Sequence, residues 1–390
     1  MGLRSYGRQF IAAGCMLACL FHVKAGRAAA PQVIATLPEP IIELWPGEPG
    51  MVLAQTERNL YSIALATAAV TPLAALDDAH LLPDSTIGWR LTRLAVAVRE
   101  PPRDQFGLQV IAPGPHRTLS LPYFYKIDLC AEAGLLLCHT LDAEGLTPGF
   151  LLISDLQGTP VPAWQERSTG FFLADMARRA GQWEVAIALT TAATPTCWML
   201  TPAGAPRWKT ALDPGWEIRQ LKIAAEMNLV ALSLHSVTTD DCQVVLLAAD
   251  DGALQARLSL PRWSGQYLRL SLNGRWLAFW GENLIGLVDV TTRRVLWHQS
   301  YGKNRGYWFQ YVDINDNGEI AAVFANHTAP GAIEVYRVDT TGHFTLLWES
   351  PQAADFARLP KGQSVLWSED GRKIVLRFNR QLMLISPPVK

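Results

Sequence analysis

The chain reads as an all-β protein, a β-propeller of four-stranded antiparallel blades, eight by count with seven as the alternative. Three observations predict this. A strand-and-turn unit recurs at intervals of 41 to 54 residues. The short apolar runs inside each unit are rich in Leu, Val, Ile, Ala and aromatic residues. Almost no helical periodicity lies between them, only a candidate helical turn at Asp175 to Ala180.

The unit is clearest toward the C-terminus. Asn273-Gly274-Arg275 leads into Trp276 to Phe279, then Leu284 to Val290, a polar turn at Thr291 to Arg294, and Val295-Leu296-Trp297. The same order recurs from Asp316-Asn317-Gly318 to Trp348 and again from Asp370-Gly371-Arg372 to Ile385. Traced backwards, second strands of successive units fall near Val52, Leu94, Leu135, Trp183, Leu229, Trp276, Ile320 and Ile374. One four-stranded sheet fills a period of that length.

An isolated sheet of this kind exposes two apolar faces, and stacking the sheets in a ring buries both. Trp208, Trp297 and Trp348, near strand ends, are therefore expected to fill space between neighbours. The last unit supplies three strands, from Ser364, Ile374 and Gln381; Gln32 to Leu37 is expected to add the fourth and join the two ends of the chain. If the first unit, Ile41 to Leu76, is irregular, the count drops to seven.

The stretch LVDVTTRRVLW, Leu287 to Trp297, resembles the repeat of quinoprotein dehydrogenase-type and WD40-like propellers. Thr201 to Trp208 and Val338 to Trp348 are looser copies. Ser271 to Phe279 and Trp367 to Phe378 are similar to the Asp-Gly strand pair of periplasmic propellers. The resemblance implies an architecture and carries over no catalytic residue, because propellers host many unrelated roles.

Residues 1–30 read as a signal peptide ahead of a propeller domain spanning 31–390. Arg4 and Arg8 precede an apolar run from Phe10 to Val23, and small residues follow at Lys24 to Ala30. The run is short for a transmembrane helix and no later segment reaches spanning length without charge, so the mature chain is expected to have no membrane span. The expected location is periplasmic or secreted; a lipid anchor through Cys19 and an uncleaved anchor are the alternatives. Cys130, Cys138, Cys197 and Cys242 lack metal or redox spacing. A four-residue turn would pair Cys130 with Leu135, so a Cys130–Cys138 disulfide needs a shifted register.

A net charge of -1 gives no footprint for nucleic acid. The seven histidines beyond the signal form no metal motif, and no nucleophile elbow or phosphate loop appears, so no cofactor and no metal are expected. Asp313 to Gly318 spaces oxygens like the start of a calcium loop, but Phe324 stands at the twelfth position and the stretch sits where other units turn.

The candidate binding residues lie on connections between blades, which emerge on one face. They are Tyr123, Trp216, Trp263, Tyr301, Lys303, Arg305, Trp308 and Arg358. Aromatic and basic groups in loops suit a contact surface. The leading expectation is a non-enzymatic scaffold that binds another envelope protein or a small ligand. The alternative is an enzyme, or the large non-catalytic subunit of a dehydrogenase-type complex, with its site at the channel mouth.

Overall fold

The computed structural model describes residues 30–47, 50–75, 94–100, 105–111, 117–120, 124–130, 135–141, 148–154, 161–167, 170–190, 193–262, 267–281, 283–300, 307–326, 332–350 and 364–388. Within them the chain forms eight sheets, seven of four strands and one of three. The first sheet spans residues 43–75, the second 94–120, the third 124–167 and the fourth 172–211. The fifth spans 216–260, the sixth 267–300 and the seventh 307–349. The eighth joins strands from residues 365–385 to Gln32–Thr36. Every pairing is antiparallel and, except in the eighth sheet, follows chain order.

Alternation and burial explain the layering. Middle strands such as Trp276–Trp280 and Leu284–Asp289 are buried along their whole length, because both sheet faces meet a neighbour. The fourth strand, Arg294–Ser300, alternates exposed and half-buried positions and forms the rim. First strands of successive sheets touch one another, from Phe172–Arg179 through Trp216–Ala224, Tyr267–Leu270 and Tyr307–Ile314 to Val365–Trp367 and Glu43–Pro46. They therefore surround an axis. Apolar clusters fill the seams between the third and fourth sheets and onward in order to the eighth and first.

The expected tryptophan packing is present. Trp208 of the fourth sheet reaches the fifth, where its indole N–H donates to the Ala249 carbonyl at 2.8 Å. Gly252 lies beneath its ring with φ +72°, and a Cβ there would sit 2.7 Å from the indole. Trp297 of the sixth sheet covers Gly342 of the seventh in the same way, and Trp348 meets Phe378 of the eighth edge-to-face at 5.3 Å. The repeated Trp and the repeated turn Gly are thus two halves of one seam contact.

The similarity of Ser271-Leu-Asn-Gly-Arg to Ser368-Glu-Asp-Gly-Arg also has a physical basis. In both turns the serine hydroxyl donates to the Asn273 or Asp370 side chain and accepts an amide five residues on. The same Asn or Asp oxygen accepts the amide of Arg275 or Arg372 at 3.0 Å. In the calcium-like stretch, the Asn315 side-chain oxygen accepts the amides of Asn317 and Glu319, which is turn bonding of the same type.

The two ends of the chain meet in the eighth sheet. Gln32–Thr36 pairs with Gln381–Ile385 in antiparallel register, Gln32 opposite Leu384 and Thr36 opposite Gln381. The Leu37 amide donates to the Arg380 carbonyl at 2.8 Å, and the Ile41 amide to the Asn379 carbonyl at 2.8 Å. Arg377, 7% exposed, donates to the Ile41 carbonyl at 2.8 Å. Burial pulls its guanidinium down to about 10, against the opposing pull of Tyr311 and Glu43.

Two local expectations are settled differently from one another. Asp175 to Ala180 forms no helical turn: Phe172–Arg179 is a strand paired along its length with Gln182–Leu189. Packing against the fifth sheet overrides the helical propensity of Ala, Met and Arg there. Cys130 does pair with Leu135, and Cys138, opposite Ile127, is buried. Cys197 and Cys242 are also buried. Among the described residues the sole helix is the single turn Ala225–Met227, and no helix is long and apolar enough to cross a membrane.

Candidate functional site

Each first strand enters the ring from the end that carries the connections between sheets and leaves it at the first hairpin turn. The molecule therefore has a connection end and a hairpin end. At the hairpin end the first strands leave an axial cavity of about 430 Å³, lined by residues of the first, fourth, fifth, sixth, seventh and eighth sheets. Its size falls within the range of small-molecule sites.

One register position builds the polar wall. Asp175, Lys222, Arg269 and Asp313 stand at the same place on four consecutive first strands, opposite Ala186, Ala231, Ala278 and Ala321. The small partner on the second strand leaves each long side chain its space. Lys222 Nζ lies 3.3 Å from Asp175 Oδ1, and Arg269 Nε lies 2.8 Å from Asp313 Oδ1. Each carboxylate also takes a main-chain amide from the next sheet at 2.7 Å: Asp175 from Ile223, Asp313 from Trp367. The aspartates clamp neighbouring sheets and hold the two cations at the axis.

The opposite wall is apolar. Met51, Val52 and Leu65 come from the first sheet, Leu366 and Trp367 from the eighth. At the mouth stand Asp316, Glu369 and Leu272, the last 52% exposed. Asp316 accepts the Asn273 amide at 2.8 Å. Sequence reading missed this wall. The signal was a charged residue five before the turn glycine, as in Arg269–Gly274 and Asp313–Gly318. In the fourth sheet the turn glycine, Gly181, falls six residues after Asp175, and the fifth sheet turns without one through Ala225–Met227, so only strand register aligns Asp175 and Lys222 with the others.

The residues singled out from the sequence were expected at the connection end. Trp216 opens the first strand of the fifth sheet and packs, half-buried, against the core cluster shared with the fourth. Trp308 lies in the strand Tyr307–Ile314; its side chain, with Tyr123, Trp263, Tyr301, Lys303, Arg305 and Arg358, lies outside the described residues. Three further residues at this end expose apolar surface: Phe171 at 57%, Val237 at 50% and Tyr267 at 48%. Phe171 precedes the first strand of the fourth sheet, Val237 follows the second strand of the fifth, and Tyr267 opens the first strand of the sixth. Tyr267 stacks on Trp280 with ring centroids 5.3 Å apart.

No protein-family model matches the chain, and no curated protein matches it in sequence. Solved structures do. The C-terminal WD40 domain of Sif2 aligns with a TM-score of 0.61 at 12% identity, covering 93% of this chain and 100% of that one. The Dos1 propeller gives 0.58 at 12% identity, covering 93% and 95%. Sqt1 of Chaetomium thermophilum gives 0.54 at 10% identity, covering 91% and 98%. At such identities the likeness concerns fold alone. Successive four-stranded antiparallel sheets, first strands around an axis and these neighbours together give the chain a β-propeller fold, similar to that of the WD40 domain of Sif2.

Proposed function

We propose that the protein is an exported, non-enzymatic binding scaffold of the cell envelope that receives a protein partner on its connection end. The observation that supports this most is the apolar surface left open there on three consecutive blades, Phe171, Val237 and Tyr267. Exposed aromatic side chains on a rigid frame suit a protein contact. Further aromatic and basic residues, Tyr301, Lys303 and Arg305, fall in the sequence between the strands Arg294–Ser300 and Tyr307–Ile314. Export, to the periplasm or beyond, rests on the basic and apolar pattern of residues 1–30, which precede almost entirely the described residues.

The axial charges bear on the enzyme alternative. Titratable groups do converge there, but each ring cation is matched by a carboxylate that also holds a main-chain amide. That is the bonding of a clamp and a binding wall. Two measurements test the proposal. N-terminal sequencing of the protein from its native host should find a chain starting between Ala25 and Val33; an intact Met1 on a cytoplasmic protein would end the export reading. The double variant Phe171→Ser, Tyr267→Ala should lose its co-purifying envelope partner while keeping a cooperative unfolding transition, lowered only by the lost stacking on Trp280. Full retention of that partner would count against the connection end.

A further inference from the structure

The axial cavity lies at the opposite end from the proposed partner surface, and its walls have their own chemistry. Among the described residues, Arg269 spends only Nε, on Asp313, so both Nη groups keep their donors. Lys222 makes one long contact, with Asp175, and has further donors to give. Both side chains are 29% exposed, half sunk in the wall, where a hydrogen bond to an anion is stronger than in open water. A guanidinium that offers its Nη edge suits a carboxylate.

A simple anion does not fit the whole cavity. The ring of two aspartates and two cations is electrically balanced, so a lone anion loses to Asp175 and Asp313 part of what it gains from Lys222 and Arg269. At the mouth, Asp316 and Glu369 add negative charge, and the Glu369 carboxylate has no ion pair or hydrogen bond among the described residues. An ammonium would be complementary there. Facing both, Met51, Leu65 and Trp367 offer apolar surface. The cavity thus presents cationic donors within, carboxylates at its mouth and an apolar wall across from them.

We propose that the axial cavity binds a compact amphipathic zwitterion: a molecule with a carboxylate for Arg269 and Lys222, an ammonium for Glu369 and Asp316, and an apolar chain for the Met51–Leu65 wall. An apolar amino acid and a short apolar peptide share this chemistry. The test is calorimetric titration of the purified protein with four probes: L-leucine, leucyl-leucine, N-acetyl-leucine and leucinamide. Leucine or the dipeptide is expected to bind, and whichever binds tighter names the source. N-acetyl-leucine lacks the ammonium and leucinamide the carboxylate, so each should bind at least tenfold more weakly than leucine.

Three variants locate the site. Glu369→Gln, an exposed change that leaves the fold intact, should weaken leucine severalfold and leave N-acetyl-leucine unchanged. Arg269→Lys keeps the charge beside Asp313 but loses the fork, and should weaken both. Leu272→Trp narrows the mouth and should weaken every probe. Binding by neither leucine nor leucyl-leucine overturns the proposal. So does equal binding of all four probes, which would reveal an apolar hole only, or leucine binding that none of the variants alters.

Discussion

At the connection end of the ring, Phe171, Val237 and Tyr267 leave apolar side chains to solvent beside charged ones such as Asp213 and Arg262. At the hairpin end the turns are closed by their own side chains, Ser271 with Asn273 and Ser368 with Asp370, and the axis is lined by charge pairs. The difference follows from chain geometry. A hairpin turn of four or five residues must satisfy its amides locally, so it is short, polar and repeated. A connection between blades has only to span to the next first strand, and its length and composition are free to vary. The hairpin end is therefore built by the repeat, and the connection end is where length and composition vary most.

Both ends depend on the ring, so the largest effect should come from opening it. Deleting residues 32–37 removes buried Ile34, Ala35 and Leu37 together with a whole strand pairing. The expected loss is about 5 kcal/mol or more, seen as a lower and broader unfolding transition. A truncated chain with an unchanged midpoint would show that these residues do not tie the ends together.

Within the hairpin end, Trp276 supports the seam between the sixth and seventh sheets, its indole N–H donating to the Asp316 carbonyl at 3.1 Å. Trp276→Ala should cost about 3–5 kcal/mol in denaturant melts. Asp313→Ala takes away the acceptor of both Arg269 and the Trp367 amide. A loss of about 3 kcal/mol is expected, because a half-buried cation and a buried donor are left without it. Should Asp313→Ala prove neutral, the aspartates would not be clamps.

Smaller effects sharpen the contrast. The Ser368 hydroxyl, and next the Arg372 amide, hold the Asp370 carboxyl below the usual carboxylate range. Its folded-state value is lowered, so its contribution is present above the unfolded value and lost as pH falls through the lowered one. Asp370→Asn should therefore lower stability slightly at neutral pH, by less than about 1 kcal/mol, and the gap should close in strong acid. On the outer rim, Leu296 is exposed, and Leu296→Ser should stay within about 0.5 kcal/mol of the parent.

Much of the fold was legible because its signals are local. Turn glycines, apolar runs and strand-end tryptophans mark each blade, and the contacts Trp208–Gly252 and Trp297–Gly342 explain why they recur together. Pairing of Gln32–Thr36 with the last strand was legible as a deficit, since the final unit was one strand short. The strand at Asp175 was not, because neighbouring sheets set it where composition favours a helix. The axial wall was least legible: Asp175, Lys222, Arg269 and Asp313 lie more than forty residues apart, differ in sign, and share only a register position. A ring gathers such residues through topology, which no local motif records.

The contrast between the two ends is tested most directly by photo-crosslinking in the native envelope. A photoreactive amino acid is placed at Tyr267 in one variant and at Leu272 in another, and adducts are identified by mass spectrometry. The scaffold account predicts one defined protein adduct from position 267 and none from position 272. No protein adduct at 267, or the same partner captured at 272, would contradict it.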